Sequence, residues 1–262
     1  MNVLITGAAS GIGSALKDVY LNNNHQVYCL DLNEINDCVN LTSFKCDITS
    51  EESLISIYHY LKNHNITLDL IINVAGIHKM ASFVETDYSV MKKVIDVNLC
   101  GTMLVNRTFH SRLKDKGKII IITSEVASFD PMPFNGLYNV SKTALDCYAQ
   151  SLRQELNLIN QHVITFRPGA VVTPLSDNSI TDTAMLADNT VLYKKQATKF
   201  VNICKRFMGK PLKPEKLARK IYKKSLKKHP KYIYKVHQNI GLVLLDFLPK
   251  RLQCFIIKQI LK

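Results

Sequence analysis

Four consecutive isoleucines, Ile119 to Ile122, constrain this chain more than any other feature. A strand with one face in water alternates apolar and polar side chains, so an unbroken apolar run of strand length is buried on both faces. Helices that alternate with strands provide such cover, which predicts an α/β fold with a parallel sheet. Similar runs recur at Asn2 to Ile5, Gln26 to Leu30, Leu68 to Ile72 and His162 to Phe166, with a shorter Ser43 to Cys46. Between them Gly13 to Asn22, Glu51 to His64, Tyr88 to Leu113 and Tyr138 to Asn160 read as helices. The last has apolar residues at 140, 144, 145, 148, 152 and 156, close to helical spacing. The polar stretch after Pro174, from 176 to 190, reads as a loop or lid.

Directly after the first strand comes Thr6-Gly7-Ala8-Ala9-Ser10-Gly11-Ile12-Gly13, and then a helix. Glycines permit a tight turn and close backbone approach to a pyrophosphate, while the helix N-terminus offers unpaired N–H groups and the positive end of its dipole. A glycine triplet alone is often only a strand-to-helix turn; its place between strand and helix makes it a dinucleotide fingerprint. Asp31 ends the second strand 18 residues after Gly13, where a carboxylate accepts hydrogen bonds from ribose hydroxyls and repels a 2′-phosphate. No Arg or Lys lies within Leu30 to Asp37, so NAD is expected rather than NADP. Tyr138 and Lys142 stand four residues apart, on one face of their helix. A neighbouring cation favours phenolate, so Lys142 is expected to lower the Tyr138 pKa from its ordinary value of about 10 and make it a general acid or base.

Together these residues resemble the short-chain dehydrogenase/reductase (SDR) family over about residues 1 to 175. The carriers are the glycine loop Thr6 to Gly13, Asp31, Asp47-Ile48, Asn73-Val74-Ala75-Gly76, Asn98, Ser124, Tyr138 with Lys142, and Arg167-Pro168-Gly169 followed by Thr173. The resemblance implies a single-domain Rossmann fold, doubly wound, with an extended basic helical C-terminus. It implies a cofactor site built from Gly7, Ser10, Gly11, Ile12, Gly13, Asp31, Asp47, Ile48, Asn73, Ala75, Gly76, Tyr138, Lys142, Pro168, Gly169, Val171 and Thr173. Asp47 and Ile48 would meet the adenine and Thr173 the nicotinamide carboxamide. Ser124 would polarise the substrate oxygen, Tyr138 would exchange its proton, Lys142 would bind the nicotinamide ribose, and Asn98 would hold a water behind Lys142.

Two positions depart from the family pattern. Val74 replaces an asparagine, and Glu125 rather than Ser124 stands 13 residues before the tyrosine. Counting from the isoleucine strand favours Ser124, with one extra residue in the loop from Val126 to Asn135. The expected activity is NAD(H)-dependent interconversion of a secondary alcohol and a ketone. Alternatives are an NAD-dependent epimerase or dehydratase using Glu125, or a dinucleotide-binding scaffold without catalysis. A dimer or tetramer is implied by the resemblance alone.

Net charge separates the chain into two parts. Of a formal +13, residues 1–193 carry −5 and residues 194–262 carry +18, with only Glu215 and Asp246 acidic in the latter. Residues 1–193 are therefore expected to be the cofactor-binding and catalytic part, and 194–262 a basic helical extension of the same domain. The stretch Pro249 to Lys262 reads as an amphipathic helix with Leu252, Phe255, Ile256 and Ile260 on one broad side, Ile257 and Leu261 at its margin, and Lys250, Arg251, Lys258 and Lys262 elsewhere. It fits a substrate lid, a subunit interface or contact with an anionic membrane surface. Nucleic acid is disfavoured, because no aromatic stacking array accompanies the charge. Seven cysteines are scattered singly and eight histidines form no metal-spaced set, so no metal site and a reducing, cytoplasmic setting are expected, with Cys147 packed rather than reactive. The first strand begins almost at Met1, which leaves no room for a leader peptide, and no apolar run approaches the ~20 residues of a spanning helix.

Overall fold

A computed structural model describes residues 1–207 and 210–262, apart from the side chains of 177–180 and 205–207. Seven strands form one parallel sheet: β1 Asn2–Thr6, β2 Gln26–Asp31, β3 Leu41–Lys45, β4 Leu68–Asn73, β5 Leu113–Ile122, β6 His162–Pro168 and β7 Ile233–Val236. Their spatial order is β3-β2-β1-β4-β5-β6-β7. The order reverses between β1 and β4, and ligands of such sheets bind in the crevice beyond the strand ends at that switch point. The glycine loop follows β1 there, and Asn73 ends β4.

The isoleucine run explains the layering. Ile120 and Ile122 pack with Leu16 and Tyr20 of α1 (Gly11–Leu21) and with Leu217 and Ile221 of a later helix. Ile119 and Ile121 face the other way, against Leu54 of α2 (Glu51–Asn63) and a second set of helices. All four isoleucines are buried. At about 25 cal/mol per Å² of apolar surface removed from water, a sheet buried on both faces is the main contribution to folding. Asn24, Asn65 and Asn160 adopt the left-handed conformation, with φ of 57°, 54° and 60°. Each lies just past a helix and just before a strand, where asparagine is among the few residues that tolerate this turn.

The long helix expected over 88–113 is broken into α3 (Tyr88–Ile95), a π-helical turn (Asp96–Gly101) and α4 (Thr102–Phe109). A π-helical turn inserts a residue into the ladder and often marks a functional position. β5 begins at Leu113, before the isoleucines. α5 spans Gly136–Asn157. Cys147, expected to be packed, is exposed on it, and all seven cysteines are free. It sits on the outward side of the helix whose inward side buries Leu145 and Ala149.

The stretch after Pro174 is a helix rather than a loop: α6, Pro174–Asn189. Thr173 caps it, its hydroxyl accepting from the Ser176 N–H at 3.2 Å while the Ser176 hydroxyl accepts from the Thr173 N–H at 3.0 Å. This reciprocal cap, with Pro174 in the first turn, starts a helix whose composition alone argues against one. α7 (Lys194–Phe207), α8 (Pro214–Ser225), α9 (Ile240–Asp246) and α10 (Lys250–Leu261) complete the chain. The basic extension also supplies an element that its sequence does not announce. β7 pairs in parallel with β6, and Tyr234 stacks on Phe166 with ring centroids 4.9 Å apart. α8 packs on α1, with the Tyr20 hydroxyl donating to Ser225 at 2.8 Å.

Candidate active site

The glycine loop is fixed by its neighbours. Gly7 and Gly11 have φ of +67° and +52°, and a Cβ on Gly7 would lie 2.8 Å from the Ala75 backbone. A Cβ on Gly13 would lie 1.9 Å from the Gly7 carbonyl oxygen, so α1 starts in direct contact with the loop. The Thr6 hydroxyl, at the end of β1, accepts from the Val74 and Ala75 N–H groups at 3.1 and 3.2 Å. The N–H groups of Gly11, Ile12 and Gly13 lie in the first turn of α1, where a helix has no acceptors of its own. Ser10 stands at the N-cap with no side-chain capping bond.

Asp31 closes this cradle. One carboxylate oxygen accepts from the Ala9 N–H at 3.0 Å and the other from the Asn33 N–H at 2.9 Å. Its register partner on β3, Lys45, lies 3.3 Å from Glu34. Asp47 is exposed and accepts from the Thr49 N–H and hydroxyl at 2.8 and 2.7 Å, while Ile48 is buried against Gly101. The Asn73 amide donates to Asn106 at 2.8 Å, and its Oδ1 is buried without a partner. A cleft of about 580 Å³ borders Ser10, Gly11, Thr173 and Pro174 and continues between α1 and α8. Free first-turn amides, glycines with no room for a side chain and a strand-end carboxylate fit the pyrophosphate and ribose of a dinucleotide.

The residues expected to react lie beyond the ends of β5 and β4. Ser124 follows β5, its hydroxyl accepting from the Val126 N–H at 3.4 Å and bonded to Tyr138 on α5. Tyr138 and Lys142 are both buried. Burial raises the Tyr138 pKa to about 12, a rise opposed by the bond to Ser124, and lowers that of Lys142 to about 8. The expected depression of the tyrosine is therefore reversed within the chain itself. Desolvation of the phenolate outweighs the cation, whose Nζ lies 5.8 Å from the tyrosine ring centre and 3.3 Å from the Ile122 carbonyl oxygen. Tyr138 is consequently held as a protonated donor near neutral pH.

Asn98 occupies the π-helical turn, fully buried. Its Oδ1 accepts from the Ile77 N–H at 2.7 Å, and its amide donates to the Ile77 carbonyl at 2.8 Å and to Ser141 at 2.9 Å. The side chain thus fixes the segment after β4 against α5, and Gly76 lets both Asn98 and Lys142 approach, since a Cβ there would lie 3.1 and 3.3 Å from them. Glu125 is buried just after Ser124. Its carboxylate accepts from the Asn239 N–H at 2.6 Å and lies beside Gly169, with burial raising its pKa.

Pro168, Gly169, Val171 and Thr173 trace the chain from β6 into α6. Gly169 is required by packing, because a Cβ would lie 1.9 Å from the His237 carbonyl oxygen. Val171 is buried and bridges to Leu212, and a Cβ on Gly11 would lie 3.0 Å from the Thr173 methyl. Contacts from the segment after β4 tie down α6 and the turn that follows it: Lys79 pairs with Asp182 at 2.6 Å, and Glu85 accepts from the Val191 and Leu192 N–H groups at 2.8 and 2.9 Å.

His78 has no expected role in the sequence, yet its ring lies against Tyr138, centroids 4.4 Å apart. Its Nε2 is 3.0 Å from Asn135 Oδ1, its Nδ1 is buried without a partner, and burial lowers its pKa to about 4. A neutral imidazole donating from Nε2 presents Nδ1 as an acceptor beside the tyrosine. The signal available beforehand was only its place two residues after Gly76.

A parallel doubly wound sheet with this loop and this Ser–Tyr–Lys set defines a dinucleotide-dependent oxidoreductase fold. The family model described as short chain dehydrogenase matches residues 1–184, and the chain belongs to the short-chain dehydrogenase/reductase family. It is 31% identical to the short-chain dehydrogenase srdE of Neurospora crassa, over 87% of this chain and 79% of that protein. It is 32% identical to the NADPH-dependent 1-acyldihydroxyacetone phosphate reductase of Schizosaccharomyces pombe, over 73% of this chain and 67% of that protein. Among solved structures, a short chain dehydrogenase family protein from Francisella tularensis superposes with a TM-score of 0.75 at 27% identity, covering 90% of this chain and 96% of the other.

Proposed function

We propose that the protein interconverts a secondary alcohol and a ketone on a lipophilic substrate, such as a steroid, retinoid or acyl chain, with NAD(H) as the preferred cofactor. The observation that carries the reaction type is the buried Tyr138 hydroxyl bonded to Ser124, with Lys142 one helical turn away. The dinucleotide, once bound at the glycine loop, supplies or accepts the hydride. The chain's own part is to hold the substrate oxygen between Ser124 and Tyr138, donate the tyrosine proton to it in reduction, and keep water out through the α6 segment. With the dinucleotide bound, Lys142 would contact the nicotinamide ribose and Thr173 the carboxamide, while Asn98 ties the segment after β4 to α5.

Preference for NAD rests on Asp31, which already draws in two N–H groups and would repel a 2′-phosphate. Lys45, the nearest cation across the strand pair, is paired with Glu34. The Schizosaccharomyces relative is named as NADPH-dependent, so the preference needs direct measurement. Purified protein should be screened against hydroxysteroids, retinols, acyl ketones and sugar alcohols with each cofactor, followed by absorbance of the reduced form. Turnover of a lipophilic pair with NAD(H), and a loosened preference in Asp31→Ala, are expected. Turnover confined to sugar alcohols, or an NAD to NADP ratio unchanged in Asp31→Ala, overturns the corresponding part of the reading.

A further inference from the structure

α9 and α10 bury or half-bury Leu242, Val243, Leu245, Ile256, Ile257 and Leu261, yet leave a second set of large apolar side chains outward. Amphipathic helices ordinarily turn their large apolar side chains to the core. Here Gln253 and Leu261 are the buried residues of α10, with Gln253 donating to the Leu248 carbonyl at 2.8 Å. Phe255, Leu252 and Ile260 face outward at 57%, 43% and 52% exposure. On α9, Ile240, Leu244 and Phe247 follow helical spacing along one side and are 74%, 63% and 82% exposed. Six large apolar side chains on two consecutive helices exceed the single scattered hydrophobics of an ordinary monomer surface and indicate a contact.

Charge identifies the contact. Lys250, Arg251, Lys258 and Lys262 are all exposed on α10 and its end. At 100° per residue, Arg251, Lys258 and Lys262 form a shoulder beside the outward apolar side chains. The one acidic residue of the pair, Asp246, accepts from the Asp130 N–H at 3.2 Å, which directs it to the body of the protein. Apolar side chains flanked by cations match a layer whose surface is anionic and whose interior is hydrocarbon. A second copy would bring one +18 segment against another. Neither helix can cross a bilayer, and among the described residues no helix is long and apolar enough to do so.

We propose that the outward faces of α9 and α10 dock on an anionic lipid bilayer, with Phe247 and Phe255 inserted at the headgroup boundary and the Lys258 shoulder on the headgroups. The docked pair is bonded to the loop that follows Ser124, through Glu125 to Asn239 and through Asp130 to Asp246 and Lys250. The mouth of the site is thereby held beside the membrane. This surface stands independently of the cofactor and substrate reading.

Co-sedimentation of the full chain with phosphatidylcholine vesicles, with and without phosphatidylserine and at low and high salt, tests it without an activity assay. Binding to the phosphatidylserine vesicles that weakens with salt is expected, reduced about fivefold for each cation removed in Lys258→Gln/Lys262→Gln. Phe247→Ser/Phe255→Ser should abolish it while the circular dichroism melt stays at the parent temperature. No binding to either vesicle, or binding equal on both and indifferent to salt, overturns the proposal. So does a parent dimer that the Phe247→Ser/Phe255→Ser change makes monomeric in sedimentation equilibrium without vesicle binding, which would mark an interface between copies. If the serine variant fails to fold, the glutamine variant decides, and unchanged vesicle binding in it overturns the proposal.

Discussion

The pocket around Tyr138 and the surface of α9 and α10 treat side chains in opposite ways. In the pocket, ionisable groups are buried: Lys142 and Tyr138 lie inside, and each has its pKa moved by the loss of water. On the helix pair, phenylalanines lie outside and a glutamine lies inside. Both arrangements cost stability, since burying a charge and exposing an aromatic ring are each unfavourable. Chains retain such choices where they serve a ligand, and the two proposals assign different ones: a reacting oxygen in one place, a broad surface in the other.

That contrast can be attacked from several sides. The largest effect should come from Tyr138→Phe, which removes the exchanged proton and should lower kcat by about 10²–10⁴-fold while dinucleotide binding, followed by NADH fluorescence, persists. Retained turnover would show that the buried phenol is merely structural. Next comes Gly169→Ala, whose new methyl meets the His237 carbonyl. A loss of about 2 kcal/mol or more in urea unfolding is expected, and an unaltered midpoint would mean that the two regions are only loosely joined.

Lys142→Met should separate function from stability. The folded-state pKa of Lys142 is lowered from 10.5 to about 8, so below that pH the fold carries a buried charge that the unfolded chain keeps in water. Stability of the parent therefore rises as pH climbs from about 8 towards 10.5. The variant should lack that rise and be more stable by about 1–2 kcal/mol at neutral pH, with activity lost. Thermal melts across this range check the sign. The smallest effect belongs to Phe255→Ser on its own: being at the surface, it should change the unfolding free energy by no more than about 0.5 kcal/mol. A larger loss would mean that the ring packs on its own protein.

The sequence disclosed most clearly what is local. The glycine loop, Asp31 and the Tyr138–Lys142 spacing lie within single elements, where the chemistry of a turn or one helical repeat dictates residue type. Ile119 to Ile122 disclosed the layers for the same reason. His78 could not be found this way, because its partners Tyr138 and Asn135 come from a helix start nearly sixty positions away. The rise of the Tyr138 pKa was hidden too, since spacing reports the nearby cation but not the loss of water. α6 was concealed by its polar composition, which a two-residue cap and Pro174 override. β7 was concealed by its shortness and by Lys235 in its middle, which suits an edge strand.

That last strand has a consequence for how the two regions are joined. Because β7 is hydrogen-bonded to β6 and its Tyr234 covers Phe166, the basic segment is stitched into the sheet. A chain ending before it would leave the backbone of β6 unpaired and an aromatic ring bare, a template for aggregation. The basic stretch up to Val236 is therefore part of the sheet rather than a separable tail.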